Sequence, residues 1–240
     1  MKHYDNHLFY FNPTQVQLVA GKTYFTIVQG SQREFELCAK WDGRAWVSPI
    51  DSTSLVSVDV VAVYVEPTMK ALQSFIHNQN IKVGWWDKPR TYSTFTNLFH
   101  SEASEALEGD RKSLMDDKLP QYPMPVVEAA DLAIRILDYL GNLCNEKFTD
   151  SLSHPQYQQD NFQWNLAMCH YWVSQAWFSK EMVGEQFEHY LRHALRLAMY
   201  IIEDHDFDAK QIILKKVAFN LNRPDHQREN RQGKPGQKEY

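Results

Sequence analysis

Between His100 and Leu140 the chain carries two pairs of carboxylates, Glu102 with Glu105 and Glu128 with Asp131. Each pair is spaced by three residues, and 22 residues separate Glu105 from Glu128. Residues i and i+3 share one face of an α-helix, about one turn apart. Phe95, Leu98, Phe99 and Ala106 recur at helical spacing on the stripe that holds the first pair, and Val127, Ile134 and Leu137 do so around Asp131. Both pairs therefore lie at the edge of a core-facing stripe. The spacer is long enough to end one helix, turn, and start the next antiparallel to it. Two such pairs on facing helices point at a common centre. Carboxylates on the apolar side of a helix are costly unless a cation neutralises them. Hard oxygen ligands in that number suit Mg²⁺, with Mn²⁺ as a substitute, better than Zn²⁺. One E-x-x-E alone is more commonly a solvated helix face; two on consecutive amphipathic segments, both on the apolar side, bring a metal cluster level with that reading.

The remaining composition narrows the class. A net charge of −5 and a pI near 6.0 give no sign of a general nucleic-acid binder. Cys38, Cys144 and Cys169 have an odd count and no C-x-x-C spacing, which fits a reducing compartment and not a disulfide scaffold. The opening MKHYDNHLFYF lacks a signal-peptide layout, and no apolar run reaches the length of a membrane span. The expectation is a soluble cytoplasmic protein with neither nucleic acid nor membrane as partner.

Residues 1–66 differ from the rest of the chain. TYFTIVQG, REFELCAKW, RAWVSPI and LVSVDVVAVYVEP are short, rich in β-branched and aromatic residues, and separated by Gly, Asp or Ser. Asp42-Gly43 has the composition of a hairpin turn. A small, mostly antiparallel β module is expected, without catalytic residues of its own and suited to interaction or oligomerisation. Pro67 closes it. From Thr68 the pattern turns helical, with Leu72, Phe75, Ile76 and Gln79 on one face and Gly84 as the stop. GWWDKPRTYST reads as a loop, and Ser93 or Thr94 as the cap of the next helix. Pro120, Pro123 and Pro125 mark the connection between the acidic helices. Further helices are expected over Phe162–Phe178, Glu185–Ile202 and Ala209–Asn220, with a mobile polar tail from Asn222. The aromatic stripe of Phe162–Phe178 (Phe162, Trp164, Tyr171, Trp172, Trp177, Phe178) points to core or to an oligomer interface.

Residues 76–112, IHNQNIKVGWWDKPRTYSTFTNLFHSEASEALEGDRK, resemble the opening helices of MazG-like all-α NTP pyrophosphatases. That family is marked by E-x-x-E, a spacer, then E-x-x-D, which Glu102-x-x-Glu105 and Glu128-x-x-Asp131 fit. A third block, Lys216-x-x-x-Asn220-x-x-Arg223-Pro224, is like the basic segment that closes the family's active site. The resemblance covers residues 68–143 and 207–234. It leaves out the β module and residues 150–205, which read as a helical insertion. The compact layout with a β addition resembles MazG-like proteins common in bacteriophages. The implied architecture is mainly α: a four-helix-bundle-type core over residues 67–240, interrupted by the insertion and preceded by the β module of residues 1–66, in a homodimer or homotetramer.

The implied activity is hydrolysis of a nucleoside triphosphate to the monophosphate and pyrophosphate. Glu102, Glu105, Glu128 and Asp131 would hold Mg²⁺, and Glu105, with Glu102 as the alternative, would take a proton from the attacking water. Lys216, Arg223 and Arg135 are the cations for the leaving pyrophosphate. Arg135 could equally form an i, i+4 pair with Asp131. Asn220 would hold a sugar or phosphate oxygen, and His77 and Trp86 would form the nucleobase pocket, whereas Trp85 reads as an anchor of its loop.

Two other readings compete. Glu203-Asp204-His205-Asp206 contains the His-Asp step of HD-type phosphohydrolases, for which His170, His189 and His193 are the available partners. Ordinary capping by Asp206 or Asp208 accounts for it better. A non-catalytic nucleotide-binding or scaffolding protein on the same bundle is the other reading, against which the presence of all four acidic positions argues.

Overall fold

The computed structural model describes residues 10–11, 17–18, 20, 23–29, 34–41, 43–47, 59–64, 66–143, 158–221 and 223–224. The expected tail beyond Pro224 and the start of the expected insertion, up to residue 157, lie outside the described residues. The chain divides into two units, Met1–Pro67 and Thr68–Tyr240, and its described residues are mainly helical. In the first unit, strands β1 (Tyr10–Phe11), β2 (Thr23–Gln29), β3 (Glu34–Trp41), β4 (Trp46–Val47) and β5 (Asp59–Tyr64) pair antiparallel in the order β1-β5-β2-β3-β4. Gly43, between β3 and β4, takes φ 104°, a conformation that a residue without Cβ adopts freely.

The second unit holds α1 (Met69–Lys82), α2 (Tyr92–Lys112), α3 (Met124–Asn142), α4 (Phe162–Phe178), a π-helical turn (Ser179–Val183), α5 (Glu188–Glu203) and α6 (Ala209–Leu221). The caps follow from short polar side chains. Thr68 accepts from Ala71 N at 3.1 Å, and Asn161 accepts from Trp164 N at 2.9 Å. The cap of α2 is Thr91, not Ser93 or Thr94: its Oγ1 accepts from Thr94 N at 3.3 Å, so Thr94 is the donor and lies inside the helix. Pro123 and Pro125 open α3, where a missing N–H leaves no intrahelical bond unmade. Asp208 accepts from Gln211 N at 2.8 Å at the start of α6, while Asp206 takes φ 63° in the preceding turn.

α3 is the hub, packed on α1, α2, α5 and α6. Its burial is wider than the stripe of Val127, Ile134 and Leu137, since Val126, Ala129, Ala130, Leu132, Ala133 and Ile136 are buried too. Small alanine side chains among these let neighbours approach on several sides, so α3 is apolar nearly all round. The closest approaches fall on glycines. A Cβ on Gly109 of α2 would stand 2.8 Å from Met124 Cβ, and one on Gly141 would stand 2.6 Å from His77 Cβ. Both obstructing atoms sit next to a backbone, so neither can swing aside. Gly141→Ala is expected to destabilise the protein by about 1–3 kcal/mol. Urea unfolding should show a lower midpoint at constant slope, and an unchanged midpoint would show that α1 and α3 have slack between them. No helix among the described residues is long and apolar enough to cross a membrane.

Candidate active site

The acidic side chains of α2 and α3 converge. One carboxylate oxygen from each of Glu102, Glu105 and Glu128 can be chosen so that all lie within 4.8 Å of one another. Glu102 and Glu128 are buried; Glu105 is the more open and accepts a hydrogen bond from Ser101 Oγ at 3.0 Å. Asp131, one turn past Glu128, stands beside this trio and faces α6, its Oδ2 lying 3.0 Å from Lys216 Nζ. Lys216 is fully buried, and its ammonium, though close to Asp131, is not aligned for a hydrogen bond with any described group. A buried ammonium with unused donors is costly unless anions surround it or a ligand takes them.

Arg135 does not turn back on Asp131 along α3. Its Nε donates across the helix interface to Glu102 Oε1. The site thus sets four carboxylates (Glu102, Glu105, Glu128, Asp131) against two cations (Arg135, Lys216), which leaves two negative charges when all are ionised. Lys118, on the loop between α2 and α3, is attracted to Glu128, but it is paired with Asp117 at 3.0 Å. That loop is built in: Met115 and Pro123 form an antiparallel bridge, and Asp116 Oδ1 accepts from Lys118 N at 2.9 Å. Burial, together with the neighbouring charges, shows in the titration of the buried members. Burial, then the Asp131 carboxylate, pushes Glu128 up to about 8 against the opposing pull of Lys216. Burial also raises Glu102, with Arg135 pulling the other way.

A divalent cation fits this donor set. The ligands are hard carboxylate oxygens, and opposite ligands of Mg²⁺ stand about 4 Å apart. A spread of up to 4.8 Å closes with small side-chain adjustments. The two uncompensated charges equal those of one such ion.

The expected base-pocket residues come together farther along α3. His77 Nδ1 lies 2.8 Å from Asp138 Oδ1, and Trp86 Nε1 donates to the same oxygen at 2.9 Å. The Trp86 ring stacks on Phe95 with centroids 5.2 Å apart and meets the His77 ring edge-on at 5.3 Å. Trp85 lies under the Arg90 guanidinium, 4.3 Å away, and Arg90 also donates to the Trp85 carbonyl. Asp138 is buried and is not among the residues that the sequence singles out. The available signal is its spacing: Glu128, Asp131, Arg135 and Asp138 follow at steps of three, four and three along one face of a helix that is otherwise apolar. The stripe from Glu128 to Asp138 rises about 15 Å, so the acidic cluster and the aromatic corner sit at its two ends.

On α6, Asn220 is one turn past Lys216, and its Oδ1 is buried without a hydrogen-bond partner among the described residues. Arg223 donates its backbone N–H to the Asn220 carbonyl at 3.3 Å. The histidines of the HD-type reading do not converge. His205 bonds the Ile201 carbonyl, His170 lies against His100, His193 stacks on Trp172, and His189 lies against Tyr190. Among the described residues, the Glu102, Glu105 and Glu128 trio is the one such group placed to hold a metal. No protein-family model, curated protein or solved structure matches the chain.

Proposed function

We propose that the chain is a Mg²⁺-dependent nucleoside triphosphate pyrophosphohydrolase of the MazG-like kind. In this reading a four-helix-bundle-type core carries the reaction, residues 150–205 are an inserted pair of helices, and the β module makes contacts outside it. One observation supports the reading most: four carboxylates on α2 and α3, in surplus by two charges over Arg135 and Lys216 when all are ionised, with that lysine fully buried on α6. A metal that binds carboxylates and an ammonium that binds phosphate are what a triphosphate needs at the same place.

Glu102, Glu105, Glu128 and Asp131 would hold the ion. Bound Mg²⁺ neutralises triphosphate oxygens and makes water a better nucleophile at neutral pH. The chain's own groups divide the remaining work. Glu102 is engaged by Arg135, whereas Glu105 is more open and accepts only a hydroxyl among the contacts described, so Glu105 takes the proton from the water that attacks the α-phosphorus. Negative charge then grows on the departing pyrophosphate. Lys216 has donors to spare for it, Arg135 would reach it by releasing Glu102, and Arg223, just past the end of α6, would supply a third cation. Asn220 offers a sugar hydroxyl its oxygen, which has no partner among the described residues. Trp86 and His77 receive the base.

The test is product analysis over a panel of canonical and modified NTPs and dNTPs, with Mg²⁺ and then with EDTA. Metal-dependent release of pyrophosphate and monophosphate from one or a few nucleotides is expected. Release of single phosphate or of triphosphate would reject the mechanism. No turnover in a folded protein that still binds Mg²⁺ would favour a nucleotide-binding or scaffolding role.

The assembly belongs to the same reading. α4 contains no Asp, Glu, Lys or Arg, yet Trp164, Tyr171 and Phe178 recur every seven residues and are 43%, 47% and 50% exposed. A stripe of that period suits a second helix, in a homodimer or homotetramer. Trp164→Glu with Tyr171→Glu should lower the mass seen by light scattering to that of a monomer; an unchanged mass would move the interface elsewhere.

A further inference from the structure

Resting on the reading of His77 and Trp86 as the base pocket, we propose that Asp138 is a positioning residue that sets the chemistry of that pocket. It fixes His77 with its hydrogen on Nδ1, so that Nε2 faces the base as an acceptor and selects bases that donate an N–H from their Watson–Crick edge. An indole N–H can only donate, so the Asp138 oxygen that receives it acts there as an acceptor. His77 Nδ1 is 2.8 Å from that same oxygen and meets an acceptor, so it must carry the hydrogen. In the neutral ring the lone pair then belongs to Nε2, which has no hydrogen-bond partner among the described residues.

Trp86 is constrained in the same way. Its one polar hydrogen is consumed by Asp138 and one side of its ring is stacked on Phe95, so it offers a base only apolar surface. Discrimination by hydrogen bonding in this corner therefore falls to His77. The ring cannot drift, because Gly141 backs directly onto it and Asp138 is 4% exposed, out of competition with water. The carboxylate touches neither the acidic trio nor any group assigned to phosphate, so it acts on base selection through two neighbours and not on the reacting atoms.

Two measurements test this. The first needs no substrate: long-range ¹H–¹⁵N correlation spectra of the full chain, with His77 assigned by its loss in His77→Gln. The Nδ1–H tautomer is expected, and an Nε2–H tautomer in the wild type would overturn the proposal. The second compares dCTP with its 2-pyrimidinone analogue, and dATP with the purine analogue, which lack any N–H on that edge. At least a tenfold preference for the donor-bearing base is expected, carried in KM, or in Kd for non-hydrolysable forms. In Asp138→Asn the preference should shrink or reverse, with kcat within about threefold. Equal affinities in the wild type, or full discrimination in a folded Asp138→Asn, would overturn it. If no nucleotide is hydrolysed, the pyrophosphohydrolase reading fails, while the tautomer and the non-hydrolysable binding series still decide the claim about Asp138.

Discussion

Glu128→Gln should stabilise the metal-free protein in mild alkali while removing its pyrophosphate release. The two effects have one origin. Burial and Asp131 push Glu128 up to about 8, far above an ordinary glutamate near 4.5. Between those values the folded chain holds a proton that the unfolded chain gives up. The contribution of this group to stability is therefore fully present below pH 4.5 and is lost as pH rises through 8. The loss approaches about 5 kcal/mol, enough to lower the thermal midpoint by roughly 10 °C or more in a chain of this size. The amide in Glu128→Gln never ionises and escapes it. The variant and wild type should melt alike near pH 5 and diverge by pH 9, with the variant higher. Excess Mg²⁺ should raise the wild-type midpoint, because binding to the folded state alone is stabilising, and should raise that of the variant much less. Activity should fall about 10²–10³-fold or more, the loss typical of removing a group that organises transition-state charge. Superimposable pH–melting profiles for the two proteins would show that Glu128 lies in no anionic cluster.

Lys216→Met should act in the opposite sense on stability and in the same sense on activity. Lys216 is fully buried beside Asp131, and Asp131 in turn raises Glu128. Breaking a buried pair from one side leaves the other charge uncompensated, at a cost of about 3–5 kcal/mol. The metal-free variant should therefore unfold at markedly lower urea concentration, and Mg²⁺ should recover part of the loss by taking over Asp131. Pyrophosphate release should not recover with the fold. With the metal-restored protein, kcat should remain about 10²–10³-fold below wild type, since charge on the leaving group then lacks its buried donor. A folded Lys216→Met with kcat within threefold of wild type would remove α6 from the chemistry.

The parts of the site that are legible in the sequence are those set by one helix. Glu102 with Glu105, and Glu128 with Asp131, are adjacent because of the helical repeat, and any i, i+3 pair announces itself. Relations across helices are not legible. Arg135 has Asp131 within reach along its own helix, yet it pairs with Glu102 of α2, because the packing of α2 on α3 brings that buried carboxylate to it. The trio forms for the same reason and leaves Asp131 to Lys216, a separation that spacing alone does not reveal. Asp138 escapes a reading of the sequence because an acidic residue near the end of a helix ordinarily faces water. Its burial depends on His77 and Trp86 arriving from 61 and 52 residues away to bond it. The start of α2 differs from the expected one for a local reason: Thr91, Ser93 and Thr94 all carry hydroxyls that could cap the helix, and it is Thr91 whose extended backbone admits the role.

Hydrolysis of a nucleoside triphosphate in ¹⁸O-enriched water, followed by ³¹P NMR of the products, tests the central claim most directly. If the acidic cluster drives water onto the α-phosphorus, the label appears in the monophosphate and the pyrophosphate carries none. Label in pyrophosphate, or in inorganic phosphate released alone, would contradict that chemistry.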